Sequence, residues 1–116
     1  MINRYKKIAA VLSFVLIMSG CSSGPSDTAE KFLSHLAAGE ITKANELATQ
    51  STAGLINLAS SFGGLPVDPD FDFQLVSENI DGNKATIKYR SKPNGKIETI
   101  HLVKLNGKWK VHEQKR

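Results

Sequence analysis

A second cysteine is missing from these 116 residues, and with it any intramolecular disulfide. The fold must close on its apolar core alone, which a chain of this size can do, since domains of about 55–65 residues already fold unaided. Missing too is an apolar run long enough to span a bilayer: roughly 20 residues are needed, and residues 8–18 supply about half of that. Residues that carry chemistry are sparse. Three histidines (His35, His101 and His112) do not make up the three or four clustered ligands of a metal site. Asp68, Asp70 and Asp72 alternate as in a calcium loop, but neither the Gly of the sixth loop position nor the closing Glu follows. No acid and base pair up within the apolar pattern, and no aromatics interleave the basic residues to stack nucleobases. The expectation is a protein with no catalytic residue, metal or cofactor and no nucleic-acid partner.

The one cysteine stands in a telling place. Arg4, Lys6 and Lys7 precede the apolar stretch 8–18, and Met18-Ser19-Gly20-Cys21 closes it with small residues directly before the thiol. A basic start, a short apolar centre and a small-residue end make the layout of an export signal. The four closing residues resemble the lipobox of bacterial lipoproteins, with Met18 where Leu is commoner. That resemblance implies cleavage between Gly20 and Cys21, diacylglycerylation of the Cys21 thiol and acylation, typically by palmitate, of the new amino group. It places residues 1–20 in a signal peptide, residues 21–25 in an acylated cysteine and short tether, and residues 26–116 in one domain. With two or three chains the anchor is effectively permanent, because each buried methylene adds about 0.8 kcal/mol. The expected address is lipid-anchored and extracytoplasmic, on the cell membrane or, because Ser22 rather than Asp follows the cysteine, on an outer membrane.

Charge is distributed unevenly along the remainder. Of fifteen Lys and Arg residues, three precede Cys21, leaving twelve against eleven Asp and Glu. Residues 22–82 hold nine acids and only Lys31 and Lys43 as bases, whereas residues 83–116 hold ten bases and two acids. An acidic front half is joined to a basic back half.

The hydrophobic period changes at the same junction. Ala29, Phe32, Leu33, Leu36 and Ala37 recur at helical spacing, with Pro25-Ser26-Asp27 as the start, Asp27 and Glu30 as the cap, and Gly39 as the stop. Ile41, Ala44, Leu47 and Ala48 share one face of a second short helix. Leu55, Ile56, Leu58, Ala59 and Phe62 outline a third, ended by Gly63-Gly64. From Phe71 onward the period is 2: Phe71, Phe73 and Leu75, then Ala85, Ile87 and Tyr89, alternate with other residues. Asp81-Gly82, Asn94-Gly95 and Asn106-Gly107 divide the region into four strands of an antiparallel meander.

The final hairpin admits two registers. A two-residue type I′ turn pairs Lys104 with Trp109 and Leu102 with Val111; a type I turn with Gly107 as a bulge pairs Val103 with Trp109. The bulged form puts Val103, Leu105, Trp109 and Val111 on one buried face and is the one expected here. Ile100 and Leu102 would then point to the opposite face, offering a seam for a second copy of the chain. Only the type I′ form sets His101 directly opposite His112.

The order of helix, Gly39-Glu40-Ile41 turn, Ala44-containing helix, irregular segment and meander ending in residues 102–111 resembles small bacterial lipoprotein domains of the nuclear-transport-factor-2-like, or cystatin-like, superfamily. That resemblance implies an α+β fold in which two or three helices pack on a curved four-stranded sheet, shaped like a cone whose cavity is open in some relatives and plugged in others. Enzymes of that group use an acid or His within the cone; no residue here matches by motif, and fold alone does not carry an activity. Lys84, Lys88, Arg90 and Lys110 alternate with core positions on the outer side of the sheet and are the candidate contacts for anionic lipid or cell-wall polymer. The expectation is a membrane-anchored, non-catalytic binding or interaction module; the alternative is a small-molecule cavity protein or cone-type enzyme.

Overall fold

The computed structural model describes residues 24–64 and 66–113. The signal segment, its cleavage site at Gly20 and Cys21, and Ser22 lie outside the described residues. Three helices, α1 (Pro25–Ala37), α2 (Ile41–Asn45) and α3 (Gln50–Ser61), precede four strands, β1 (Gln74–Asp81), β2 (Lys84–Arg90), β3 (Glu98–Leu105) and β4 (Lys108–Val111). The strands form one antiparallel sheet in the order β1-β2-β3-β4, and the helices pack on one of its faces, giving an α+β fold whose sheet is open rather than closed.

Helix α1 begins at Pro25, whose fixed φ and missing N–H suit the first helical position. Its cap differs from the local one expected. Asp27 lies within the first turn and pairs with Lys31 at 3.2 Å. The orphan donors are met instead from β1, where the Glu78 carboxylate accepts from the Ser26 N–H at 3.1 Å and from the Ser26 hydroxyl. At the other end Glu40 N–H donates to His35 O and Gly39 N–H to Leu36 O, the paired bonds of a Schellman stop. Gly39 has φ 79°, and the Val67 side chain would lie 3.2 Å from an added Cβ, so a larger residue would be strained in conformation and would have to displace Val67 slightly.

The second helix is shorter than its apolar spacing implies. It ends at Asn45, and residues 47–49 straighten and run parallel to β4, with Val111 N–H donating to Leu47 O and Thr49 N–H to Val111 O. This covers the β4 edge of the sheet. Thr49 then caps α3 by accepting from Thr52 N–H at 3.4 Å. Of the third helix's apolar residues Ile56 is buried, while Leu58 and Phe62 are exposed.

Ala29 and Phe32 of α1, Ala44 and Ala48 fill the core against Ala85, Ile87 and Tyr89 of β2, Ile100 and Leu102 of β3, and Val111 of β4. Strand β1 lies outside this layer: Leu75, Val76 and Ile80 are exposed, and its other edge has no partner strand among the described residues. A bulge between Leu75 and Ser77 interrupts its ladder, a common device against edge-to-edge association.

The last hairpin corrects the expected register. Leu102 pairs with Val111 and Lys104 with Trp109, across a two-residue turn in which Asn106 (φ 53°) and Gly107 (φ 81°) both take the left-handed region of a type I′ turn. The reason lies one strand away. Ala85 pairs with Leu102 and Ile87 with Ile100, so the buried face of β2 draws Ile100 and Leu102 inward. Trp109 and Val111 keep their expected side, but Val103 and Leu105 turn outward. Ile100 and Leu102 therefore lie beneath the helices rather than on the outer face expected for them.

Candidate functional site

Strand alternation puts Lys84, Thr86 and Lys88 of β2, Thr99, His101 and Val103 of β3, and Lys108 and Lys110 of β4 on the face turned away from the helices. The four basic residues expected to contact an anionic surface share this face but are not equivalent. Lys84 and Lys88 are exposed, with no side-chain partner among the described residues. Arg90 is half-buried and donates through Nε to Gly95 O at 2.9 Å, closing the loop after β2. Lys110 reaches over the β4 edge to Glu46 O at 2.6 Å. Two of the four therefore also stabilise local structure, Arg90 through Nε and Lys110 through one Nζ donor, while each keeps its charge and its other N–H groups.

Between these lysines the type I′ register opens a site not anticipated from the basic pattern. His101 lies opposite His112, whose N–H donates to His101 O at 2.8 Å. With Lys84, Thr86, Val103 and Glu113 they line an open depression of about 610 Å³. Its far wall is held by hydrogen bonds. The Thr49 hydroxyl lies 2.9 Å from His112 Nδ1, and Thr52, itself buried, accepts from Glu113 N–H at 2.9 Å and donates to Glu113 O at 3.2 Å. This fixes the chain beyond β4, so that Glu113 Oε2 accepts from His101 N–H at 2.6 Å and lies 3.4 Å from His101 Nδ1. One signal in the sequence could have found the cluster: Asn106-Gly107, the dipeptide best suited to the turn that aligns the two histidines.

The remaining chemical groups serve structure. His35 is half-buried against Glu40, with Nδ1 and Oε1 2.8 Å apart, rather than simply solvated. That hydrogen bond, helped by Lys43, holds the Glu40 carboxyl below its ordinary range. Tyr89 stacks on Phe73 at 5.5 Å between ring centroids, and its hydroxyl is pushed up to about 12, chiefly by burial and then by the Glu98 and Glu113 carboxylates. Asp68 accepts from Asp70 N–H and pairs with Lys92 at 3.1 Å, which makes the Asp-rich segment a braced turn. Among the described residues no group of three or more His, Cys, Asp or Glu side chains is placed to hold a metal ion. No helix among them is long and apolar enough to cross a membrane.

Comparison of the chain with protein-family models, curated proteins and solved structures found no match.

Proposed function

We propose that this chain is an exported lipoprotein, acylated at Cys21, whose domain is a non-catalytic module that presents the basic face of its sheet to an anionic lipid surface or cell-wall polymer. The observation that carries the proposal is the interval between Met18-Ser19-Gly20-Cys21 and Pro25, the first residue of α1. Four residue steps at 3.3–3.6 Å reach no more than about 14 Å, so an acylated cysteine keeps the domain beside its membrane. The start of α1 is fastened to β1, the free edge of the sheet, by Ser26 and Glu78. From that edge a short tether can lead to either face.

Several features favour binding over the cavity or enzyme alternative. Phe32, Ile87, Leu102 and Val111 fill the layer between α1 and the sheet. Among the described residues the buried side chains with a polar group are those of Thr28, Thr52 and Tyr89, and none is suited to proton transfer at neutral pH, the Tyr89 hydroxyl being held protonated by a pKa of about 12. The exposed cations sit outside, where each contributes about 1 kcal/mol close to an anionic surface.

The experiment has two arms. Cys21→Ser should abolish incorporation of labelled fatty acid and release the chain from membranes; unchanged labelling refutes the anchor. Purified full-length protein in zwitterionic nanodiscs should capture anionic vesicles at low salt and release them above about 0.3 M, where the Debye length falls below about 6 Å. Lys84→Glu with Lys88→Glu should abolish capture, and capture that survives this reversal refutes the surface role.

A further inference from the structure

The depression on the outer face has two chemically different ends. At one end stand Lys84 and Thr86, whose side chains have no partner among the described residues. At the other stands Glu113, its Oε2 anchored by the His101 N–H and 3.4 Å from His101 Nδ1, and its Oε1 left as an acceptor. Lys84 and Glu113 are two strands and three residues apart, which sheet spacings convert to about 14 Å between their Cα atoms. A lone divalent anion would leave the carboxylate end repelled. A neutral sugar would leave Lys84 unused. The complementary ligand carries a negative group at one end and hydroxyl donors at the other.

We propose that this depression binds a single hydroxylated phosphodiester unit, its phosphate held by Lys84 and Thr86 and its hydroxyls by Glu113, which the His101 imidazole backs. The inference rests on the proposal that the basic sheet face meets an anionic surface and narrows it to one chemistry, shared by glycerol-type lipid headgroups and by phosphodiester wall polymers. The volume, about 610 Å³, suits a unit of this size. The site is also preorganised, because Thr49 and Thr52 fix His112 and Glu113 before any ligand arrives.

The test uses the full-length protein in zwitterionic nanodiscs, titrated with glycerophosphoglycerol and followed by amide and imidazole NMR shifts. Saturable shifts at Lys84, Thr86, His101 and Glu113 are expected. Lys84→Gln and Thr86→Val should each weaken binding, Lys84→Gln by about tenfold or more, as loss of a charged hydrogen bond predicts. Glu113→Gln should weaken glycerophosphoglycerol but leave dimethyl phosphate, a diester without hydroxyls, unchanged. Lys88→Gln, on the same face but outside the depression, should have less than about a twofold effect, as a screened point charge would. Equal losses in Lys84→Gln and Lys88→Gln, equal affinity for the two diesters, or no saturation by about 10 mM overturns the site. Those results leave vesicle capture standing, whereas intact glycerophosphoglycerol binding without vesicle capture refutes only the surface role. Phosphatidylglycerol vesicles and soluble polyglycerolphosphate, each used as competitor, separate a lipid source from a polymer source; displacement by neither overturns the assignment. Thermal midpoints within a few degrees of the parent show that each variant is folded.

Discussion

Leu102→Ala and Leu105→Ala decide the register of the last hairpin, because the two registers bury different leucines. Leu102 is 1% exposed and sits between Ala85 and Val111, whereas Leu105 is 48% exposed on the outer face. Truncating Leu102 removes about three buried carbons at about 0.8 kcal/mol each. The small side chain of Ala85 cannot swing in to fill the gap, so a cavity term is added and the cost should be about 3 kcal/mol or more. Leu105 has already half its surface in water and leaves no closed cavity, so its truncation should cost about 1 kcal/mol or less. The roughly 90 described residues imply a net stability of about 4–14 kcal/mol, of which the Leu102 change takes a large share. It should lower the thermal midpoint by about 12–24 °C. Circular dichroism of the full-length chain in zwitterionic micelles, melted and also titrated with urea, reads both variants on one scale. A Leu105 cost equal to or above that of Leu102 would refute the type I′ register and the site built on it.

Glu78→Ala should cost about 1 kcal/mol of unfolding free energy in a urea titration through loss of the α1 cap, and Glu78→Gln, which keeps an acceptor, should cost less. Phe32→Ala should cost about 3–5 kcal/mol and Trp109→Ala less, since Phe32 is buried whereas Trp109 is only partly so, under Lys104 at 5.7 Å. Glu40 is held below its ordinary range by His35 and Lys43, so it stabilises the fold above the unfolded-state glutamate pKa, and that contribution is lost as pH falls through the lowered folded-state value. Glu40→Gln should flatten this acid limb of the thermal midpoint, and an unchanged limb would refute the coupling. Tyr89 runs the opposite way: its folded-state pKa of about 12 exceeds the ordinary value of 10.0, so its contribution is complete below pH 10 and lost as pH rises toward 12. Tyr89→Phe should raise the pH of alkaline unfolding.

Most of the fold was legible because local periodicity and turn chemistry agree with the tertiary arrangement. Ala29, Phe32 and the positive φ of Gly39 are where the helical stripe and stop place them. The sequence misleads where a distant segment competes. Glu78 caps a helix 52 residues away, and no local pattern announces an acceptor arriving from an edge strand. Leu47 and Ala48 keep helical spacing, yet the unpaired edge of β4 offers them ladder bonds that a frayed helix end does not. Leu75 continues the alternation of Phe71 and Phe73, and the bulge after it brings Ile80 to the same face, yet both remain exposed because only the start of α1 reaches β1.

The site was less legible than the fold for one physical reason: its members are aligned by register, and register was judged from one hairpin. Within β3 and β4 alone, burying Val103 and Leu105 is as reasonable as burying Ile100 and Leu102. Adding β2 breaks the tie, since a one-residue slip would turn Ile100 and Leu102 away from Ala85 and Ile87. The same step sets His101 against His112 and brings Glu113 within reach of the His101 N–H. Lys84, Lys88, Arg90 and Lys110 were visible as a basic face from alternation alone. Alternation cannot say which cations remain available. Arg90 and Lys110 are each tied by one bond to the Gly95 and Glu46 carbonyls, contacts that depend on loops and edges rather than on period. The depression gathers a narrower set, in which Lys84 and Thr86 face Glu113 and the His101 paired with it, so recognition there follows from the turn at Asn106-Gly107 as much as from the residues themselves.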